Sequence, residues 1–396
     1  MSKVLKMKGQ ETMKKTIFAI SLLAAALAAS AQAEQVVDIS GVGNKKFTVA
    51  VNVGNPMYAR CLKKNLELSG VFLVNANGSV KVTGSAGAVK AEGSGKAVSS
   101  AEMFADDKSA RMAARKMADA MVEAWGGQKG FACDKIVFLK HGKQQSVGAA
   151  LPGDLCTCYA DGFDIRQHTN DGKMSIFPRW MGSDSVLFIS DRSGAPQIWQ
   201  LNLQTEQVKR KWSFKGTPTG IAVSPDGTRV AAILSFTGNP ELYVLQGDRY
   251  TRLTTTPYEV EGQPTWSPDG TKIAFVRGDR MQQIWVIDVA TKKERRLTSV
   301  GRQNLDPDWG KDGRITYITR RAGSQIAVMN SAEGDKTAEI LSAPGSWQHP
   351  SWARDGRHVV AGSSHKLFVV DTLKDGDKPR QIFEAPGDWI SPSWAK

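Results

Sequence analysis

The chemistry open to this chain is bounded by where its few reactive side chains fall: 396 residues contain only five His and four Cys. Cys61, Cys133, Cys156 and Cys158 lack the paired CxxC spacing of a structural zinc site. Cys156 and Cys158 stand two apart on one strand face, which disfavours a bridge between them, whereas a bridge from Cys133 to either is open if the chain is exported. His349, His358 and His365 fall in one short stretch, where strand and surface roles are commoner than metal catalysis. Gly93-Ser94-Gly95-Lys96 looks like a phosphate loop, but its first Gly is misplaced and Ala97 stands where Ser or Thr would meet magnesium. A GxSxG nucleophile turn does not occur. No catalytic residue, metal or cofactor is therefore expected, and the carboxylates Glu261 and Asp306 have no matching set of His.

What these side chains hang on is a repeat. Gln263 to Thr298 contains two short runs, Lys272–Val276 and Gln283–Asp288, rich in β-branched and aromatic residues and bounded by turns. Ser267-Pro268-Asp269-Gly270 is a tight turn, with Pro presetting φ and Gly accepting a left-handed backbone. Trp266 aligns with Trp180, Val223, Trp309, Trp352 and Trp394, at intervals of 43, 43, 43, 43 and 42 residues. Turn glycines follow four positions later at Gly227, Gly270, Gly313 and Gly356. A four-stranded unit of this period predicts a β-propeller, because each sheet can bury its faces only against its neighbours.

Five complete units are expected near 176–212, 219–254, 262–298, 305–342 and 348–384, and strand 390–395 opens a sixth. Strands Lys135–Lys140, Asp154–Tyr159 and Phe163–His168 would complete it, closing a six-bladed all-β ring over residues 131–396 and leaving no open edge. Upstream, the pattern is mixed. Phe47–Val53 reads as a strand, Asn55-Pro56 as a capped helix start, and Lys108–Trp125 as a helix whose Ala110, Ala114, Met117 and Met121 share one face. Residues 34–130 are thus expected to form a small α/β domain.

Residues 13–33 carry Lys14 and Lys15, an apolar run and Ala31-Gln32-Ala33, the pattern of a secretory signal peptide cleaved after Ala33, with 1–12 as an extension ahead of it. That places the mature chain in the periplasm of a two-membrane cell. The formal net charge is +13, of which residues 1–33 hold five Lys and one Glu. The remaining charges are interspersed as on a solvated surface, and no basic module interleaved with aromatics points to nucleic acid.

The order of parts, together with Pro264–Gly270, Ser224–Gly227, Asp191–Trp199 and Arg252-Leu253-Thr254, resembles the TolB family of periplasmic Tol-Pal components. The resemblance implies a non-enzymatic scaffold that binds the peptidoglycan-associated lipoprotein Pal, supports outer-membrane integrity and invagination at division, and meets the membrane only through its partner. Carried over by position, the Pal-binding residues are those leading into the inner strands: Glu261 and Gln263, Asn304 and Asp306, Trp347 and His349, Trp389 and Ser391. The family's contact with TolA would fall on Glu34, Val36, Val37, Asp38 and Ile39. The rival reading is a cell-envelope propeller enzyme or glycan-binding protein that uses the central channel.

Overall fold

The computed structural model describes residues 46–141, 153–236, 238–256, 262–373, 378–383 and 387–395. Strand β1 (Phe47–Val53) lies between β2 (Phe72–Val74) and β3 (Val80–Ser85) and runs parallel to both; β4 (Ala88–Gly93) and β5 (Lys96–Ser100) extend the sheet antiparallel. Helix α1 (Pro56–Leu68) starts where Asn55 accepts from the Tyr58 amide, with Pro56 in the first turn. Helix α2 (Asp107–Met121) starts at the Asp106 capping box and widens into a π-type turn at Val122–Gly126. Tyr58, Leu62 and Leu66 of α1 and Ala110, Ala114, Met117 and Met121 of α2 form one core with Val49, Val80 and Val82. Gly93–Lys96, the apparent phosphate loop, is the β4–β5 turn, and Lys96 Nζ donates to the Ala124 carbonyl at 2.6 Å.

The rest is a six-bladed β-propeller of four-stranded antiparallel sheets. In chain order the inner strands are Ser175–Trp180, Pro218–Val223, Thr265–Trp266, Gln303–Trp309, Gln348–Trp352 and Asp388–Trp394. The last pairs with Lys135–His141, so the sixth blade joins strands from both ends of the propeller and the ring has no free inner edge. The anchor tryptophans recur because they staple blades together. Trp180 Nε1 donates to the Ser393 carbonyl at 2.9 Å, Trp266 Nε1 to Ala222 at 3.1 Å, and Trp352 Nε1 to Asp308 at 3.0 Å. The guanidiniums of Arg229 and Arg314 stack on Trp266 and Trp352 and donate to the carbonyls of turn residues Gly270 and Gly356. Those turns need glycine: φ is +71° at Gly227, +67° at Gly270, +83° at Gly313 and +74° at Gly356.

The α/β domain packs on the sixth blade through a buried ionic joint. Arg115, 0% exposed, donates to Asp161 from Nε (2.8 Å) and Nη2 (3.0 Å) and to Asp164 from Nη1 (2.8 Å). Asn65 Nδ2 and Cys61 Sγ complete the shell of Asp161, and Arg111 grips Asp164 at 2.6 Å. Burial opposes the charge on Asp161, but the Arg115 and Asn65 hydrogen bonds outweigh it and hold the carboxyl below its ordinary range. All four cysteines are free thiols, so the bridge from Cys133 is not formed. Cys61 is instead a buried donor to Asp161.

Candidate functional site

The site grows from an irregularity that four inner strands share. Three residues before the anchor, Phe177, Asp306, His349 and Ser391 have φ of +53°, +50°, +49° and +51°. Each is followed by proline, and strand pairing slips there in every case. These are β-bulges at the ring's inner edge. A left-handed backbone at a non-glycine residue costs about 1–3 kcal/mol and persists only where its surroundings impose it. Its recurrence around one axis marks a built feature.

The bulge decides which side chains reach the channel. A cavity of about 430 Å³ runs along the axis, with Gln263, Asp306 and His349 in its wall. Ser391 Oγ lies 3.4 Å from His349 Nδ1, Asp306 accepts from the His349 amide at 3.2 Å, and the Phe177 ring stands edge-on to the imidazole. Desolvation holds the His349 pKa below its ordinary value; Asp306 opposes that shift and Arg179 adds to it.

Residues two positions earlier go elsewhere, because the slip breaks the alternation that would have put them on the same face. Asn304, 1% exposed, donates to Gln283 Oε1 and the Val300 carbonyl. Trp347 packs edge-on to Phe368 and donates to the Ala343 carbonyl, and Trp389 is buried against Phe138 and Phe383. Glu261 and the segment Glu34, Val36, Val37, Asp38 and Ile39 lie outside the described residues.

The residue just before each anchor carries a second pattern that the sequence reading missed. Thr265 Oγ1 accepts from the Trp309 amide at 3.0 Å, Asp308 from Trp352 at 2.7 Å, and Ser351 Oγ from Trp394 at 3.1 Å. Each acceptor laces its inner strand to the next. In the first blade that position is Arg179, which has no acceptor atom. Its guanidinium lines the cavity and donates to the Pro178 carbonyl at 2.9 Å. Among the described residues no carboxylate comes within ion-pair distance of it. Desolvation lowers its pKa, with Asp308 and Asp306 acting in the other direction. The signal was available, as a basic residue where the other copies place Thr, Asp, Ser or Ala.

The three histidines grouped in sequence do not converge. His349 faces the channel, His358 is 1% exposed with Nδ1 at 2.5 Å from Asp355, and His365 meets Asp388 in the turn at the other end of its strand. Among the described residues no group of three or more His, Cys, Asp or Glu side chains is arranged to hold a metal ion, and no helix is long and apolar enough to cross a membrane. The channel can therefore offer hydrogen bonds, one unpaired guanidinium and a neutral imidazole to whatever enters it.

The comparisons with known proteins agree with the architecture. "Protein TolB homolog" of Protochlamydia amoebophila (strain UWE25) is 24% identical, over 46% of this chain and 53% of that one. "Tol-Pal system protein TolB" of Helicobacter pylori (strain J99 / ATCC 700824) is 26% identical over 48% of each. The chain thus spans about half the length of the curated relatives it matches. The crystal structure of TolB from Acinetobacter baumannii superposes with a TM-score of 0.73 at 20% identity, covering 89% of this chain and 97% of that one, which is a likeness of fold. The family model for the TolB beta propeller domain matches residues 122–396, and the chain belongs to that family.

Proposed function

We propose that the chain is a non-enzymatic periplasmic scaffold of a Tol-Pal system, exported by a signal peptide cleaved after Ala33. In this reading its channel mouth binds a Pal-like peptidoglycan-associated lipoprotein and so supports outer-membrane integrity and invagination during division. The observation that carries the reading is the shared bulge, which turns Asp306 and His349 into one cavity beside Gln263. Strained, non-repeating polar residues on a rigid ring suit recognition, whereas the anchors and turn glycines repeat because packing requires them. Asn304, Trp347 and Trp389 support the mouth from behind, and Glu261 takes part in binding the partner. The N-terminal segment Glu34 to Ile39 serves a TolA-like partner.

The test is binding of the full mature chain to the soluble domain of the host's peptidoglycan-associated lipoprotein. His349→Ala and Asp306→Ala are expected to weaken binding at least about tenfold, as central interface residues do. Equal affinity of both variants and the wild type would remove the channel mouth from the interface.

A further inference from the structure

At the propeller face where the inner strands begin, three loops of the third and fourth blades meet: Gly278–Gln282, Ser299–Arg302 and Arg320–Gly323. They are stitched together by side chain and backbone. The Asn304 amide donates to the Gln282 carbonyl at 2.8 Å, Gln303 Nε2 to Gln282 Oε1 at 2.9 Å, Arg320 Nη1 to Gln303 Oε1 at 2.8 Å, and the Arg302 amide to the Arg320 carbonyl at 3.2 Å. On this fixed base stand four exposed arginines, Arg280, Arg302, Arg320 and Arg321, around Met281 (61% exposed) and Val300 (52% exposed).

The charge is not balanced locally. The loops themselves contain one carboxylate, Asp279, and Asp335 touches them from a neighbouring strand. Asp279 is exposed, and Asp335 is engaged by the amides of Ser299 and Val300. None of the four guanidiniums takes part in an ion pair among the described residues, although elsewhere Arg115, Arg252, Arg277, Arg314 and Arg357 all do. Unpaired like charges on hydrogen-bonded loops repel one another, a cost that an acidic partner would offset.

We propose that this arginine rim docks an acidic protein segment bearing an apolar side chain, with carboxylates on the guanidiniums and the apolar group on Met281 and Val300. The proposal rests on the binding reading above and names the chemistry of that partner. Guanidinium forks match carboxylates in pairs, and loops already ordered by hydrogen bonds lose little entropy on binding. A lipid surface fits less well, because these loops contain no Lys and no aromatic residue to anchor at an interface. The rim also leads directly, through Gln303 and Asn304, into the strand that carries Asp306 to the channel.

The experiment compares the full mature chain with Arg280→Glu/Arg302→Glu and the milder Arg280→Ala/Arg302→Ala, using three probes. These are the soluble domain of the host's peptidoglycan-associated lipoprotein, a synthetic peptide of alternating Glu and Leu, and phosphatidylglycerol vesicles. Charge reversal is expected to weaken lipoprotein binding at least about tenfold and alanine replacement less, with wild-type affinity falling as salt rises. If reversal has no effect while His349→Ala weakens binding, the rim proposal is overturned and the channel-mouth reading stands. If the lipoprotein is not bound but the acidic peptide is, and reversal abolishes that, the rim proposal stands and the lipoprotein reading falls. Binding of neither, or of vesicles in place of the peptide with the same arginine dependence, overturns the rim proposal.

Discussion

The joint between the α/β domain and the sixth blade and the channel through the ring each draw an arginine away from bulk water, fully buried at the joint and half-buried in the channel, with opposite outcomes. At the joint, Arg115 is enclosed by Asp161 and Asp164 and stacks 3.8 Å from the centre of the Tyr159 ring. Hydrogen bonds and charges from the two aspartates outweigh its desolvation, so its pKa lies above the ordinary value. In the channel, Arg179 has one backbone carbonyl and two aspartates out of ion-pair reach, so desolvation wins and its pKa falls. The lesson is that a buried charge enclosed by its partners holds two domains in one geometry, whereas a half-buried charge without an ion pair is a cost to the fold that a ligand can recover.

The sharpest way to break the comparison is at the joint. Arg115→Met leaves Asp161 buried without its cation, while Asp164 keeps Arg111, and is expected to cost about 3–5 kcal/mol in chemical denaturation. Adding Asp161→Leu should recover much of that loss, since a buried pair replaced by apolar groups is often close to neutral. A cost below about 1 kcal/mol for the single variant would mean that the joint is wet and that the contrast with the channel is false.

The same substitution in the channel should have a smaller effect of the opposite sign. Arg179→Met removes a desolvated charge that has no ion pair, and is expected to leave stability unchanged or raise it by about 1 kcal/mol. Circular dichroism melts of the two methionine variants, run side by side, check the difference in sign. A loss at Arg179 as large as that at Arg115 would place a strong partner on it and end the argument that it is held for a ligand.

How much of this could be read from the chain follows from how local each signal is. The anchors at Trp180, Trp266, Trp309, Trp352 and Trp394 were legible because an indole recurs at one position of the inner strand, between adjacent blades, so the text repeats with the fold even though the second blade has Val223 there. Asn55-Pro56 announced its helix because a cap is a contact within three residues. Strand β5 was missed because Lys96–Ser100 follows a glycine-rich turn and is largely exposed, leaving no apolar alternation to find. The joint was invisible, since Arg115 and Asp161 stand 46 residues apart with nothing local to link them. The bulge was half-visible. Phe177, Asp306, His349 and Ser391 share no side-chain chemistry, only the proline that follows, so the reading took positions two apart as one face where the backbone slip puts them on two.

The smallest expected effect sharpens the comparison by titration, because His349 is the channel group whose charge can be switched. Its pKa is lowered in the fold from an ordinary value of 6.5. Above that pH the imidazole is neutral in both folded and unfolded chains and contributes no slope. Below it the unfolded chain takes up a proton that the folded chain refuses, so stability falls with pH until the depressed folded pKa is reached. His349→Gln removes that slope. At pH 7.5 the variant should lie within about 0.5 kcal/mol of wild type, having lost the contact to Ser391 and the edge-on contact with the Phe177 ring. At pH 5 the difference should shift in the variant's favour, read as a change in the gap between the two melting temperatures. A gap that does not move with pH, or that moves toward wild type in acid, would mean that Asp306 holds the protonated form. The channel would then carry a paired cation like the joint, and the distinction between the two regions would be lost.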